Sequence, residues 1–577
     1  MTRFAPTLAF SALLATAMTV HAATSADLVL LHGRIITMNG QDQVVQALAV
    51  GGERIIATGT DRSVRPLIGP ATRVIDLHGR GVTPGLIDAH AHVLSMGLSI
   101  LFEIDVSDAR KMQDVMDAVA GRAAKSRPGD WIVGGGWDEA KMSEHRYPSA
   151  AELDRAAPAN PVWLYNTTGH FGAANSAALK LAGIGASTPA PVAGIIERGA
   201  DGLPDGILKE SAMNPVLAVI PQYSIEQRRQ AISHMLQATH SEGMTGFKDA
   251  DIDQQDWEAF HSVAADGILS DYVCVLFHTA TTMDEAKATL ARIRAAQRDV
   301  AALKNPTLGV CGAKIYMDGS GAGRTGWMYA DWNKSFTDAD VGNKGFPALD
   351  PDLYRRQVEF FVAEGVSVGT HAVGDRAIDW VVDSYAEALR LTPAKGLRLA
   401  IIHANDPSDH AIDVMADLQR RFDSGIPETQ AEFLWWLGDA YSATYGPTRD
   451  PRLIPLRSYL DRRMIWAGGS DANITPLAAR YGLWTSVARE TLLGTNGKTP
   501  FGTAQSVDIH AAMRSYTIWA ARQLFIDKQS GSLERGKSAD IAIWDRDPYA
   551  VPTGQLKDMV CDATIFQGKV VYERAAH

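Results

Sequence analysis

Cysteine is scarce in this chain: Cys274, Cys311 and Cys561 are the three among 577 residues, widely spaced and odd in number. That pattern reads as neither a disulfide framework nor a CxxC metal site. Concentrated positive charge is also lacking. Lys and Arg total 55 against 66 Asp and Glu, a net charge of −11, and no basic block occurs. This argues against nucleic acid or an anionic membrane as the main partner. Beyond the first twenty-odd residues no segment reaches the roughly 18 uninterrupted apolar residues needed to span a bilayer. No internal repeat or low-complexity tract is evident. Hydrophobic residues at 46% and charged residues at 21% exclude a disordered or collagen-like chain.

The N-terminus carries an export pattern. Arg3 supplies a short positive region, Phe4 to Val20 is mostly apolar, and Val20-His21-Ala22 fits a signal-peptidase site. The expectation is a signal peptide over 1–22 and an exported protein, periplasmic or secreted, with no stable membrane insertion after cleavage. An uncleaved N-terminal anchor is the alternative.

Short apolar runs punctuated by Gly turns follow (Leu28–Leu31, Arg34–Thr37, Ala47–Val50), and similar pieces return at Ala539–Trp544, Ala563–Phe566 and Lys569–Tyr572. The simplest arrangement is one β-sandwich domain built from 23–83 plus 526–577. Between them, eight strand-like runs alternate with amphipathic helices. They are Gly85–His92, Thr245–Asp249, Tyr272–Phe277, Leu308–Met317, Val366–His371, Leu397–His403, Ile426–Phe433 and Arg463–Asp471. This is the α/β pattern of a (β/α)8 barrel, here over 84–525. No Gly-rich phosphate loop follows the first strand, as an open doubly wound sheet would want. The stretch between His92 and Thr245 is far too long for an ordinary loop and predicts an inserted cap at about 112–213.

His90 and His92 stand two apart at the end of the first run, where alternation places both imidazoles on one face within reach of one metal. His371 ends the fifth run, His403 the sixth and Asp471 the eighth. Strand C-termini of a barrel converge on one mouth. Four histidines and a carboxylate there form an N/O ligand set suited to zinc or a similar divalent ion. Lys314, on the fourth run, has two readings: a buried lysine paired with Asp318, or a neutral amine carboxylated by carbon dioxide that bridges two metals.

The segments Thr83–His92, Lys314–Ser320, Thr370–Ala377, Ile402–Ala404 and Gly469–Ala472, with cap segments Asp130–Asp138 and Thr168–Ser176 and the tail Gly531–Asp540, resemble the amidohydrolase superfamily. More narrowly they resemble its amidohydrolase-3 branch of YtcJ-like and N-substituted formamide deformylase-like proteins. The resemblance implies one metal on His90 and His92, another on His371 and His403, carboxylated Lys314 as the bridge, and Asp471 as both ligand and proton-transfer base. It implies a metal-activated hydroxide attacking a non-peptide C–N bond of an N-acyl, N-formyl or cyclic amide. Departures from many relatives include Ile402, Asn405, Ala431 and Asn473, none of which removes a ligand.

Secondary candidates come with plain alternatives. His170 is placed to touch the scissile group or to serve structure, and Arg324 to bind an acidic group or form a surface ion pair. Trp327, Trp435, Trp436 and Phe433 line an apolar pocket or pack. Histidines 145, 234, 240, 261, 278, 410 and 510 are read as structural. The expected cofactor is one or two Zn2+ and the expected partner a small molecule, with a homodimer left open. Competing functions are a mononuclear deaminase, an ester or lactone hydrolase on the same scaffold, and a non-catalytic binding or regulatory protein retaining the fold.

Overall fold

The computed structural model describes residues 25–279, 281–303, 307–333, 342–494 and 501–575; the expected signal peptide lies outside them. At its centre eight parallel strands follow one another in chain order around a sheet: β1 (Leu86–Ala91), β2 (Met244–Ile252), β3 (Tyr272–His278), β4 (Leu308–Tyr316), β5 (Val368–Ala372), β6 (Ala400–His403), β7 (Ile426–Thr429) and β8 (Ala467–Gly468). Short bonds close the ring between its ends. The Ser470 N–H donates to Asp88, and the Asp471 N–H donates to the His90 carbonyl at 2.8 Å.

Helices cover the barrel because their apolar residues recur on one face and their first turns are capped. Asp409–Phe422, for example, starts at Ser408, whose side chain accepts the Ala411 N–H, and buries Ala411, Ile412, Met415, Ala416 and Leu418. Asp375–Leu391 buries Ile378, Val381, Val382 and Tyr385 in the same way.

The eight strands lie where the sequence places them; the second and third run longer, to Met244–Ile252 and Tyr272–His278, and the other six are shorter. The seventh stops at Thr429, and Phe433–Trp436 is helical. The sixth begins at Ala400, after Arg398 takes a left-handed φ of 56°, and the eighth shrinks to two residues before Asp471 does the same at 58°. Such a conformation turns the chain out of the extended path and favours a strand end there.

A six-stranded sheet built within 104–210 forms the cap, its core holding Trp137, Leu153, Leu164 and Phe171. Two further sheets form the terminal sandwich. One is four-stranded and wholly N-terminal; the other, six-stranded, joins an N-terminal half (Val44–Val45, Arg34–Ile36, Gly81–Pro84) edge to edge with a C-terminal half (Ile541–Trp544, Cys561–Phe566, Lys569–Glu573).

The cysteine reading needs correction. Cys274 on β3 and Cys311 on β4 form a disulfide, with Cα atoms 5.6 Å apart; Cys561 is free and buried. Parallel neighbours are joined by a crossover helix, so 37 residues of sequence separate the two; register sets Cys274 opposite Gly309, and Cys311 stands at the shift between Val310 and Gly312.

Candidate active site

The strand ends bring most of the expected ligands together. His90 is fully buried on β1, and its Nε2 lies 3.3 Å from Asp471 Oδ1. His92, one residue past the strand, brings its Nε2 to 3.2 Å from the same oxygen. The His403 ring centroid is 5.4 Å from that of His90 and 4.5 Å from that of His371. Donor atoms of His90, His403 and Asp471 all lie within 4.8 Å of one another. Both ring nitrogens of His90 and Oδ1 of Asp471 are buried without a hydrogen-bond partner. Orphaned donors of this kind, converging in one place, fit a divalent cation.

Neighbouring groups fix which nitrogen each histidine offers. His403 Nδ1 meets Gln430 Oε1 at 2.8 Å, and His371 Nε2 meets the Gly319 carbonyl at 3.0 Å. Both partners accept, so those nitrogens carry the protons and the opposite ones present lone pairs. Glu428 Oε2 stands 3.8 Å from His90 Nδ1, while its other oxygen accepts a hydrogen bond from Lys248.

The electrostatics agree with the geometry. Burial, then the field of Lys314, holds the His90 imidazole well below its ordinary pKa. Burial and the nearby His403 do the same to His371. Burial takes His403 down to about 3 against the opposing field of Asp471. Burial alone would raise Asp471, but the approach of His90 and His92 holds it well below the carboxylate range. At His92 burial is outweighed by Asp471, and its pKa is raised. Three neutral imidazoles and one ionised carboxylate are the protonation states a metal requires.

Lys314 is buried, with its pKa lowered by burial against the pull of Asp251, Asp471 and Glu428. Its amine lies 4.6 Å over the ring of Tyr316. Asp318, the ion-pair partner weighed for it, instead accepts the backbone N–H groups of Trp327, Val373 and Gly374.

His170 reaches the barrel from the cap, its ring centroid 4.9 Å from that of His371. Its Nδ1 is 3.0 Å from Glu210 Oε2, and although burial alone would lower its pKa, Glu210 raises it. Arg324 is buried on the loop after β4 with a left-handed φ of 56°, within the field felt by Glu139 of the cap.

The two tryptophans point elsewhere. Trp327 sets its ring against Arg376 and Trp380 on the helix Asp375–Leu391. Trp435 stacks on Tyr481 at 4.7 Å and lines a cleft of about 600 Å³ with Arg480, Trp484 and Lys557, which holds none of the clustered ligands. Phe433 does approach, stacking 5.6 Å from His403.

Residues the sequence did not single out are Glu210, Gln430, Glu428 with Lys248, and the pair Asp251 and Tyr316, which His278, read as structural, joins through Asp251. Tyr316 alone carried a usable signal, standing two positions beyond Lys314 on one strand.

Residues 73–572 match the model of the amidohydrolase family, in its amidohydrolase-3 form. The chain is 30% identical to an N-substituted formamide deformylase of Arthrobacter pascens, over 95% of this chain and 98% of that protein. It is 26% identical to the amidohydrolase YtcJ of Bacillus subtilis, over 94% and 99%. Among solved structures, a metal-dependent hydrolase from Pyrococcus horikoshii superposes with a TM-score of 0.68 at 22% identity, covering 91% of this chain and 99% of that one. Barrel, buried ligand cluster and full-length family match therefore agree: the chain belongs to the amidohydrolase family and is a metal-dependent hydrolase.

Proposed function

We propose that the chain is an exported amidohydrolase that cleaves a non-peptide C–N bond of a small N-formyl, N-acyl or cyclic amide. The observation that carries this is the buried convergence of His90, His403 and Asp471, with both His90 nitrogens and Oδ1 of Asp471 left without a hydrogen-bond partner. His90, His92, His371, His403 and Asp471 would hold one or two zinc-like ions, with Lys314 as a carboxylated bridge; its burial favours the neutral amine that carboxylation needs. When bound, such ions supply Lewis acidity toward the carbonyl and lower the pKa of water.

The chain's own groups do the rest. Asp471 takes the proton from the attacking water and delivers it to the departing nitrogen, so that a C–O bond forms, the C–N bond breaks, and acid and amine leave. His170, kept protonated by Glu210 at its Nδ1, is an imidazolium that offers Nε2–H to the carbonyl oxygen as negative charge develops there. The formamide substrate named for the Arthrobacter relative supports the N-formyl member of the range. The signal-like N-terminus and the buried Cys274–Cys311 disulfide support export, because cystines persist in oxidising compartments.

A one-ion centre is the second reading. It is favoured by one observation: the tight donor set contains His90, His403 and Asp471 but not His371. Elemental analysis of purified protein decides between them, at about one or two ions per chain. A His90→Ala, His92→Ala double variant is expected to lose metal and amide hydrolysis together. Retention of both would overturn the proposal.

A further inference from the structure

The barrel mouth carries a second polar chain that the mechanism above leaves unused. Tyr316 leaves β4 on the same face as Lys314. Its ring centroid lies 5.1 Å from that of His371 and 6.5 Å from that of His170, so the phenol borders the reacting groups. Its hydroxyl donates to Asp251 Oδ2 at 3.0 Å. The other Asp251 oxygen meets His278 Nδ1 at 2.5 Å, and His278 is half exposed at the rim. Asp251 sits at the end of β2 with a left-handed φ of 72°. A non-glycine residue adopts that backbone at a cost, one typically tolerated where a side chain must be aimed.

A phenol has a single proton. With that proton committed to Asp251, Oη offers only lone pairs to anything else. A substrate carbonyl therefore gains nothing from it, whereas a substrate N–H gains an acceptor. We propose that Tyr316, oriented by Asp251 and His278, is a specificity-determining residue that accepts a hydrogen bond from the amide N–H, so that secondary amides are preferred over tertiary ones. The inference rests on the amide-hydrolase reading above and narrows its substrate class. A tertiary amide loses the bond and sets an alkyl group against the oxygen, leaving a polar group unpaired.

The test compares N-butylformamide with N-butyl-N-methylformamide on the metal-loaded full chain, with metal content measured alongside. Wild type is expected to favour the secondary amide by about tenfold or more in kcat/KM. Tyr316→Phe is expected to lose about tenfold on the secondary amide and stay within about twofold on the tertiary one, with metal content unchanged. Equal losses on both substrates, or no loss on either, would overturn the inference. Should Tyr316→Phe shed metal, Asp251→Ala carries the same comparison through a freed phenol: the secondary-to-tertiary ratio is expected to fall, and an unchanged ratio overturns the inference. A metal-loaded wild type inert on all amides overturns the underlying reading and the inference with it.

Discussion

At His170 the direction of one hydrogen bond decides what the side chain can do. Nδ1 donates to Glu210, whose charge raises the His170 pKa and favours the imidazolium, so Nε2 also carries a proton and is the donor left for the substrate. His170→Ala is expected to lower kcat/KM by about 10²- to 10⁴-fold with bound metal unchanged, checked by kinetics beside elemental analysis. Glu210→Gln keeps the ring but weakens its orientation, and about a tenfold loss is expected. At His403 the consequence is pH dependence. Its folded pKa of about 3 lies below the unfolded value, so the unfolded chain takes the proton first. The stability this group contributes is present above about 6.5 and is lost as pH falls toward 3. Denaturant melts of metal-free protein at pH 7 and pH 4.5 are expected to differ less in His403→Gln than in wild type. The ligands themselves were legible because each stands at a strand end, a position that periodicity reveals. Their partners were not. Glu210 meets His170 across 40 residues and Asp251 meets Tyr316 across 65, and no local spacing encodes such pairs.

Among the elements, the contact between β1 and β8 governs the site most directly, since one carries His90 and the other leads to Asp471. Gly469 lies at that seam. A Cβ there would stand 2.7 Å from the His90 nitrogen and 2.9 Å from both Asp88 Oδ1 and the His90 carbonyl, closer than packed atoms tolerate. Gly469→Ala is expected to push the two strands apart, reducing metal affinity or activity by about 10- to 100-fold, as loss of ligand orientation does. Metal titration followed by circular dichroism would check this, with the helical signal retained. Strand order was readable because a βαβ repeat admits few topologies. The short β7 and β8 were over-read. Apolar character runs on through Ala431 and Phe433, but the backbone turns at Gln430 to aim its amide at His403. Function overrides propensity there, which composition does not disclose.

Taken whole, the molecule clasps the barrel from both ends. The terminal sandwich touches the foot, where the Gly85 N–H donates to the Asp540 carbonyl and Thr564 donates to the His240 carbonyl. The cap reaches the mouth through His170. Between them, the interior core holds the Cys274–Cys311 bridge beside Ile87, Leu276, Ile402 and Leu524. Both sulfurs belong to residues about 4% exposed, so a reductant reaches them only when the barrel opens. In the loop-entropy account a bridge spanning 37 residues stabilises the fold by about 3–4 kcal/mol. Alkylation with mass spectrometry in dithiothreitol is expected to leave both cysteines unlabelled in folded protein and label both above the thermal transition. A Cys274→Ser, Cys311→Ser double variant is expected to melt earlier while keeping its metal, because the bridge lies away from the ligand-bearing strand ends. Loss of metal at temperatures where the double variant is still folded would show that the bridge also sets the β3–β4 register that carries Lys314 to the mouth.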